Sequence, residues 1–210
     1  MFSPPRLIVM LLILIPAGLR LMDLQWNFAS IGALSIFCGL YIKQRSLALA
    51  IPLAAMVISD IGLGLVHDKL DFYTTDPVRP IVYASYVLSI CLGFSVRRYW
   101  QQTSTPQAEG GSLHETPSKV QWQRYIPVAG ATLAGSLLFF VTTNFGVWLL
   151  EDMYPQTWEG LVSCYVGAIP FYRTTFASDL VFTLILVGGY ELLFKARVPV
   201  TSASQLLYAE

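Results

Sequence analysis

Apolar residues run along this chain in long blocks separated by short polar stretches. Six such blocks cover residues 5–21, 28–42, 47–66, 81–96, 125–149 and 160–194. A helix rises about 1.5 Å per residue and a bilayer's hydrocarbon core is roughly 30 Å thick, so one crossing takes about twenty residues. The second and fourth blocks are short and need flanking residues to reach across. The sixth is too long for one simple span, and Pro170 interrupts it. That break predicts a short outer helix or re-entrant piece over 160–169, followed by a full span over 171–194. The expected fold class is all-α, a polytopic membrane helix bundle of about six transmembrane helices.

Composition supports this placement. Of 210 residues, 55% are hydrophobic and 12% are charged, about half the charged share of a soluble domain. Formal net charge is zero, so nothing in the balance points to a nucleic-acid partner. The charges are segregated along the chain. With the N-terminus inside, the inner stretches carry Arg6, Lys43, Arg45, Arg97, Arg98, Lys119, Arg124, Lys195 and Arg197, while the outer ones carry Arg20, Lys69 and Arg79. The outer stretches also collect Asp23, Asp68, Asp71, Asp76, Glu151, Asp152 and Glu159. This bias predicts a multi-pass protein of the inner (plasma) membrane with both termini cytoplasmic. Trp26, Trp148, Tyr154 and Trp158 mark an outer interface, and Tyr99 with Trp100 an inner one.

Residues 101–119 are rich in Gln, Ser, Thr, Pro and Gly and have no apolar period, as a flexible linker would. The organisation expected is helices 1–4 over 1–98, a cytoplasmic linker over 99–124, helices 5–6 over 125–197 and a cytoplasmic tail over 198–210. Arg6 and the apolar run after it suggest a signal peptide, but Arg20 and Met22 fit a cleavage site poorly, so the first block is expected to stay.

Cys38, Cys91 and Cys164 all lie in apolar blocks without a Cys-x-x-Cys pair, and His67 and His114 lie in polar connections. Neither a disulfide framework nor a metal site is expected. Nucleophile-elbow, zinc-protease and nucleotide-binding motifs are also missing, so the chain reads as a non-enzyme without a cofactor.

Candidate chemistry lies in the exceptions to apolarity. Asp60 and Asp179 sit inside apolar blocks, where a carboxylate costs roughly 2.5–3.5 kcal/mol on insertion scales. Seven residues separate Asp60 from His67 and six separate Asp179 from Arg173, which puts both acids about 10 Å inside the outer boundary. Arg20, Asn27, Asn144, Trp148 and Arg173 lie at the outer ends of their blocks. Such groups either line a ligand site or neutralise one another, as Arg20 with Asp60 or Arg173 with Asp179 would. Glu191, four residues before Lys195, has the spacing of a helical ion pair. Ala29–Ala33 and Ala131–Gly135 have the small-xxx-small spacing of close helix contacts.

Several stretches together resemble a bacterial membrane family of unknown function. They are Asn27-Phe-x-x-x-Gly-Ala33, Pro52-Leu-Ala-Ala-Met-Val-Ile-Ser-Asp60, Thr143-Asn-Phe-Gly-Val-Trp148, Tyr154-Pro-x-Thr-x-x-Gly-Leu161 and Cys164-Tyr-x-x-x-Ile-Pro-Phe171. In size and layout that family is similar to the substrate-binding S components of energy-coupling factor (ECF) transporters. The resemblance implies binding of a vitamin-like solute near the outer face and a separate ATPase module as partner. The first block lacks the Ala-x-x-x-Ala pair with which S components dock; the nearest is Ala29–Ala33 on the second.

The function expected is binding and translocation of a small polar solute, with Arg20, Asn27, Asp60, Asn144, Trp148, Arg173 and Asp179 at the site. The alternatives are a non-transporting structural or assembly protein, and a lipid-directed enzyme, for which no DDxxD-type metal motif is present. A segment over 160–173 that folds back would pack as a lid over the outer mouth, with Arg173 at its hinge. Protease added to inside-out vesicles is expected to cut within 101–119 and leave two co-folded membrane fragments. Cutting from the opposite side alone would reverse the topology.

Overall fold

The computed structural model describes residues 3–22, 30–103 and 124–195. Their regular structure is helical: α1 (Arg6–Leu21), α2 (Ile31–Tyr41), α3 (Arg45–Val66), α4 (Leu70–Thr75), α5 (Arg79–Thr103), α6 (Ile126–Leu150) and α7 (Trp158–Thr183). Two π turns, Leu184–Gly188 and Glu191–Lys195, carry α7 onward. Four helices, α3, α5, α6 and α7, are long and apolar enough to cross a membrane. Most of the expected linker lies outside the described residues.

The helix of the second apolar block is shorter than a full crossing. α2 has 11 residues, about 16 Å of helix and half the hydrocarbon thickness. Nearly every side chain on it is buried, on all faces. It touches α1, α3, α5, α6 and α7, and so forms the axis of the bundle. A helix that starts and stops inside low dielectric needs partners for its terminal N–H and C=O groups. Asp179 of α7 supplies one end, its Oδ1 accepting from the Ala33 N–H at 3.2 Å. Arg97 of α5 supplies the other, its Nη1 donating to the Ile42 carbonyl at 2.6 Å. An anion at the N-terminus and a cation at the C-terminus both complement the helix dipole. The Phe94 ring, 4.8 Å from the Arg97 guanidinium, backs that cation.

Lipid tails are as apolar as leucine, so close van der Waals packing holds membrane helices together. The tightest crossing is α2 on α5. A Cβ on Gly39 would land on the Ile90 carbonyl oxygen, and one on Gly93 would land on that of Ile36. The two small residues let the backbones meet. Of the pairs expected from spacing, Ala131 is buried and Gly135 faces Ile36 and Ser89 through side-chain contacts, while Ala29 lies outside the described residues.

Where α3 ends, Asp68 takes φ 53° and the Lys69 N–H closes back on the Gly64 carbonyl at 2.9 Å, a left-handed helix stop. The chain then turns through α4 to Asp76, whose Oδ1 accepts the Val78 N–H at 2.8 Å and starts α5. This end of the bundle, where α3 and α6 finish and α5 and α7 start, is called the Glu151 end below.

The expected break at Pro170 is absent. α7 runs unbroken from Trp158 to Thr183 with Pro170 inside it. One missing N–H is tolerated where a neighbouring helix fixes the rod, and α6 does so here. Tyr165 donates to the Val141 carbonyl at 2.7 Å and the Cys164 thiol to that of Asn144 at 3.4 Å. The piece over 160–169 is therefore neither a separate helix nor re-entrant.

Gly39→Ala and Gly93→Ala are each expected to lower unfolding stability in detergent by about 1–3 kcal/mol, since the two backbones must separate. Gly130→Ala, which meets no atom within 4 Å, should unfold like the native chain in the same melts.

Candidate functional site

The Glu151 end concentrates charge. Asp60, 3% exposed on α3, receives Arg20 Nη1 of α1 at 2.8 Å and Arg79 Nη1 of α5 at 2.9 Å. The Tyr83 hydroxyl donates to its second oxygen at 3.0 Å. Arg20 also donates to Ser59 Oγ and to the sulfur of Met56. Arg79 extends the chain of charge to Asp76, its Nε lying 3.6 Å from Oδ2. One aspartate thus ties three helices together. Arg79 at the start of α5 faces the positive end of that helix's dipole, so it needs anions near it.

Asp179 is a separate site. Besides capping α2, it accepts from Ser136 Oγ at 2.6 Å. A Cβ on Gly32 would clash with both its oxygens, so glycine is what admits the carboxylate to the helix end. Among the described residues the two buried aspartates share no hydrogen-bond or ion-pair partner.

Between the start of α5, α6 and α7 lies a half-open cavity of about 240 Å³. Phe139, Phe140, Phe171 and Tyr172 form its apolar wall, and the Phe140 and Tyr172 rings meet tilted at 46° with centroids 4.8 Å apart. Asp76, Thr143, Asn144, Glu151 and Thr175 are its polar groups. Burial, and then the charge of Asp76, raise the Glu151 carboxyl above its ordinary value of 4.5. Below the cavity a line of hydroxyls descends the buried face of α6. Thr142 pairs with Ser85 at 2.7 Å, Ser136 with Asp179, and Thr132 with Thr183 at 3.2 Å.

The structure brings Arg20 and Asp60 together as an ion pair and puts Asn144 in the cavity lining. It does not bring Asp179 to Arg173, which is exposed on α7. Trp148 closes the α6–α7 turn, its indole N–H donating to the Pro155 carbonyl at 3.0 Å. Asn27 lies outside the described residues. The segment expected as a lid is a wall instead, since Ala168, Phe171 and Tyr172 line the cavity. Glu191 accepts from the Tyr41 hydroxyl at 2.7 Å; the Lys195 side chain lies outside the described residues.

Sequence reasoning missed Arg79, Tyr83, Asp76, Glu151 and Ser136 as members of these sites. Arg79 had a signal: a cation at a helix start, with an acid three residues before it. Ser136 had none, because a serine in an apolar block is commonplace.

A model described as "Family of unknown function (DUF6580)" matches residues 2–201. No curated protein and no solved structure matches the chain, so the likeness to S components gains no support from these comparisons.

Asp60→Asn removes the carboxylate that two guanidiniums share and is expected to lower stability by about 2–4 kcal/mol, less than a fully dry pair because the arginines are partly wet. Adding Arg20→Gln should recover part of that loss in a double-mutant cycle of detergent melts. Strict additivity would show that the pair is not coupled.

Proposed function

We propose that this chain, which belongs to the family of unknown function DUF6580, binds a small polar solute in the cavity between α5, α6 and α7 and passes it across the membrane. The carrying observation is the position of that cavity. It sits at the Glu151 end, directly above the hydroxyl line of α6. From Asn144 to Thr132 this line covers about 18 Å at the helical rise. In hydrocarbon, polar side chains mark a path or a site more often than lipid contact. The acids and aromatic residues of the Glu151 end support reading it as the outer face. The Glu151 end is rich in acids, and the basic residues Lys43, Arg45, Arg97, Arg98 and Arg124 lie toward the other.

Translocation by coupling to an ATPase module, as in S components, is the finer form of this proposal. Of the nearest docking pair, Ala33 on α2 is buried and Ala29 lies outside the described residues, so the packing gives this finer form no support. A second reading is a non-transporting structural protein. It is favoured by Asp60, Arg20 and Asp179 all being partnered within the chain. The cavity supports the first reading, because a purely structural bundle needs no polar recess with its own aromatic wall.

A solute screen read by detergent melting tests this directly. A binder at a hundred times its Kd should stabilise the protein by about 2.7 kcal/mol. Thr175→Phe, which fills the cavity, should abolish the shift; uptake into proteoliposomes should be lost with it. A binder whose shift survives the filled cavity would move the site elsewhere.

Glu151 gives a pH prediction. Its folded value is raised, so ionising it opposes folding, and that penalty is absent below about pH 4.5 and grows as pH rises. Glu151→Gln should therefore melt higher than the native chain at pH 7 and equal to it at pH 4. A variant that melts lower at pH 7 would mean the carboxylate has a stabilising partner.

A further inference from the structure

Deepening the proposed binding role, and resting on it, we infer that the solute is a small organic cation, a protonated amine with a flat or apolar body, held with its ammonium at Glu151. The argument comes from what the cavity's polar groups have left to offer. Asn144 uses its amide N–H on the Phe140 carbonyl at 2.7 Å. Thr143 donates its hydroxyl proton to Phe139 at 2.7 Å, and Thr175 donates to Phe171 at 3.1 Å. Both threonine protons and one of the two Asn144 amide N–H groups are thus taken up by the helix carrying them, which leaves the Asn144 oxygen, its second N–H and the threonine lone pairs. Asp76 and Glu151 add carboxylates, which accept only. Apart from the second Asn144 N–H and the Tyr172 hydroxyl, the polar lining is one of acceptors. A partner rich in donors and poor in acceptors fits it, and an ammonium has three donors and no acceptor.

Charge agrees with this. Arg20 and Arg79 pair with Asp60 and Asp76, and of the two acids in the cavity lining this leaves one without a basic partner among the described residues. That acid is Glu151. Arg79 serves Asp60 and Asp76, whereas no basic side chain among the described residues pairs with Glu151. Its charged neighbour is another acid. A cation placed there would relieve both the burial and the repulsion. The aromatic wall of Phe140 and Tyr172 suits the same ligand, since ring faces attract cations and stack on flat bodies. At about 240 Å³ the cavity falls below the roughly 300 Å³ at which ligand pockets usually begin, so the body is small.

Three probes of one shape separate this inference from the reading it rests on. Phenethylammonium, 2-phenylethanol and 3-phenylpropionate are titrated calorimetrically into the full-length protein in detergent. The ammonium should bind at least tenfold tighter than the alcohol, and the carboxylate weakest. Glu151→Gln should weaken the ammonium tenfold or more and leave the alcohol unchanged, while Glu151→Asp restores part of the preference. Equal binding of ammonium and alcohol, preference for the carboxylate, or an ammonium affinity indifferent to Glu151→Gln would overturn the cation while leaving the cavity as a site. Failure of all three probes, with no difference between native and Thr175→Phe protein, would remove the cavity itself.

Discussion

The bundle is organised around a buried helix of 11 residues, about half the length of a membrane crossing. α2 begins and ends among other helices, so its end groups must be satisfied by side chains and not by water. Asp179 meets its N-terminus and Arg97 its C-terminus. Each charge sits where the helix dipole favours it, which offsets part of the cost of burying it. The remaining helices are placed by this requirement. α7 must pass the start of α2 to deliver Asp179, and α5 must pass its end to deliver Arg97. The Gly39–Gly93 crossing lets α5 come close enough to do so.

Three carboxylates near or inside the apolar region find three different settings. Asp179 has neutral donors, an N–H and a hydroxyl, in a dry helix end. Asp60 has two arginines and a tyrosine, which makes it the clasp between α1, α3 and α5. Glu151 has no such compensation and borders a cavity. A group left in an unfavourable setting beside open space is where binding energy can be gained, because stability and function often conflict at such places.

The sequence made the helical class and Asp60 and Asp179 easy to pick out, since a carboxylate in an apolar block is costly enough to need a purpose. Their partners were harder to foresee. Arg20 was adjacent in the pattern and does pair with Asp60, but Arg79 lies beyond the apolar block, brought back by the Asp68 stop and α4. The half-length of α2 was hidden because its composition is that of any short span. Pro170 carried a real steric penalty, yet α7 continues through it, bonded to α6 at Cys164 and Tyr165. Glu151 looked like one more loop acid, and its meaning depends on where α6 ends relative to Asp76, which no local pattern encodes.

The most direct measurement is the unfolding of Asp179→Asn and Arg97→Gln, singly and together, in detergent. If the two side chains cap the ends of one buried helix, each variant loses on the order of 1.5–3 kcal/mol, the worth of a hydrogen bond to a charged group, even with no solute present. Asp179→Asn loses part of its two accepted bonds, because its amide nitrogen must face a donor. Variants that unfold together with the native chain would contradict this, and would return Asp179 to the list of groups held for a ligand.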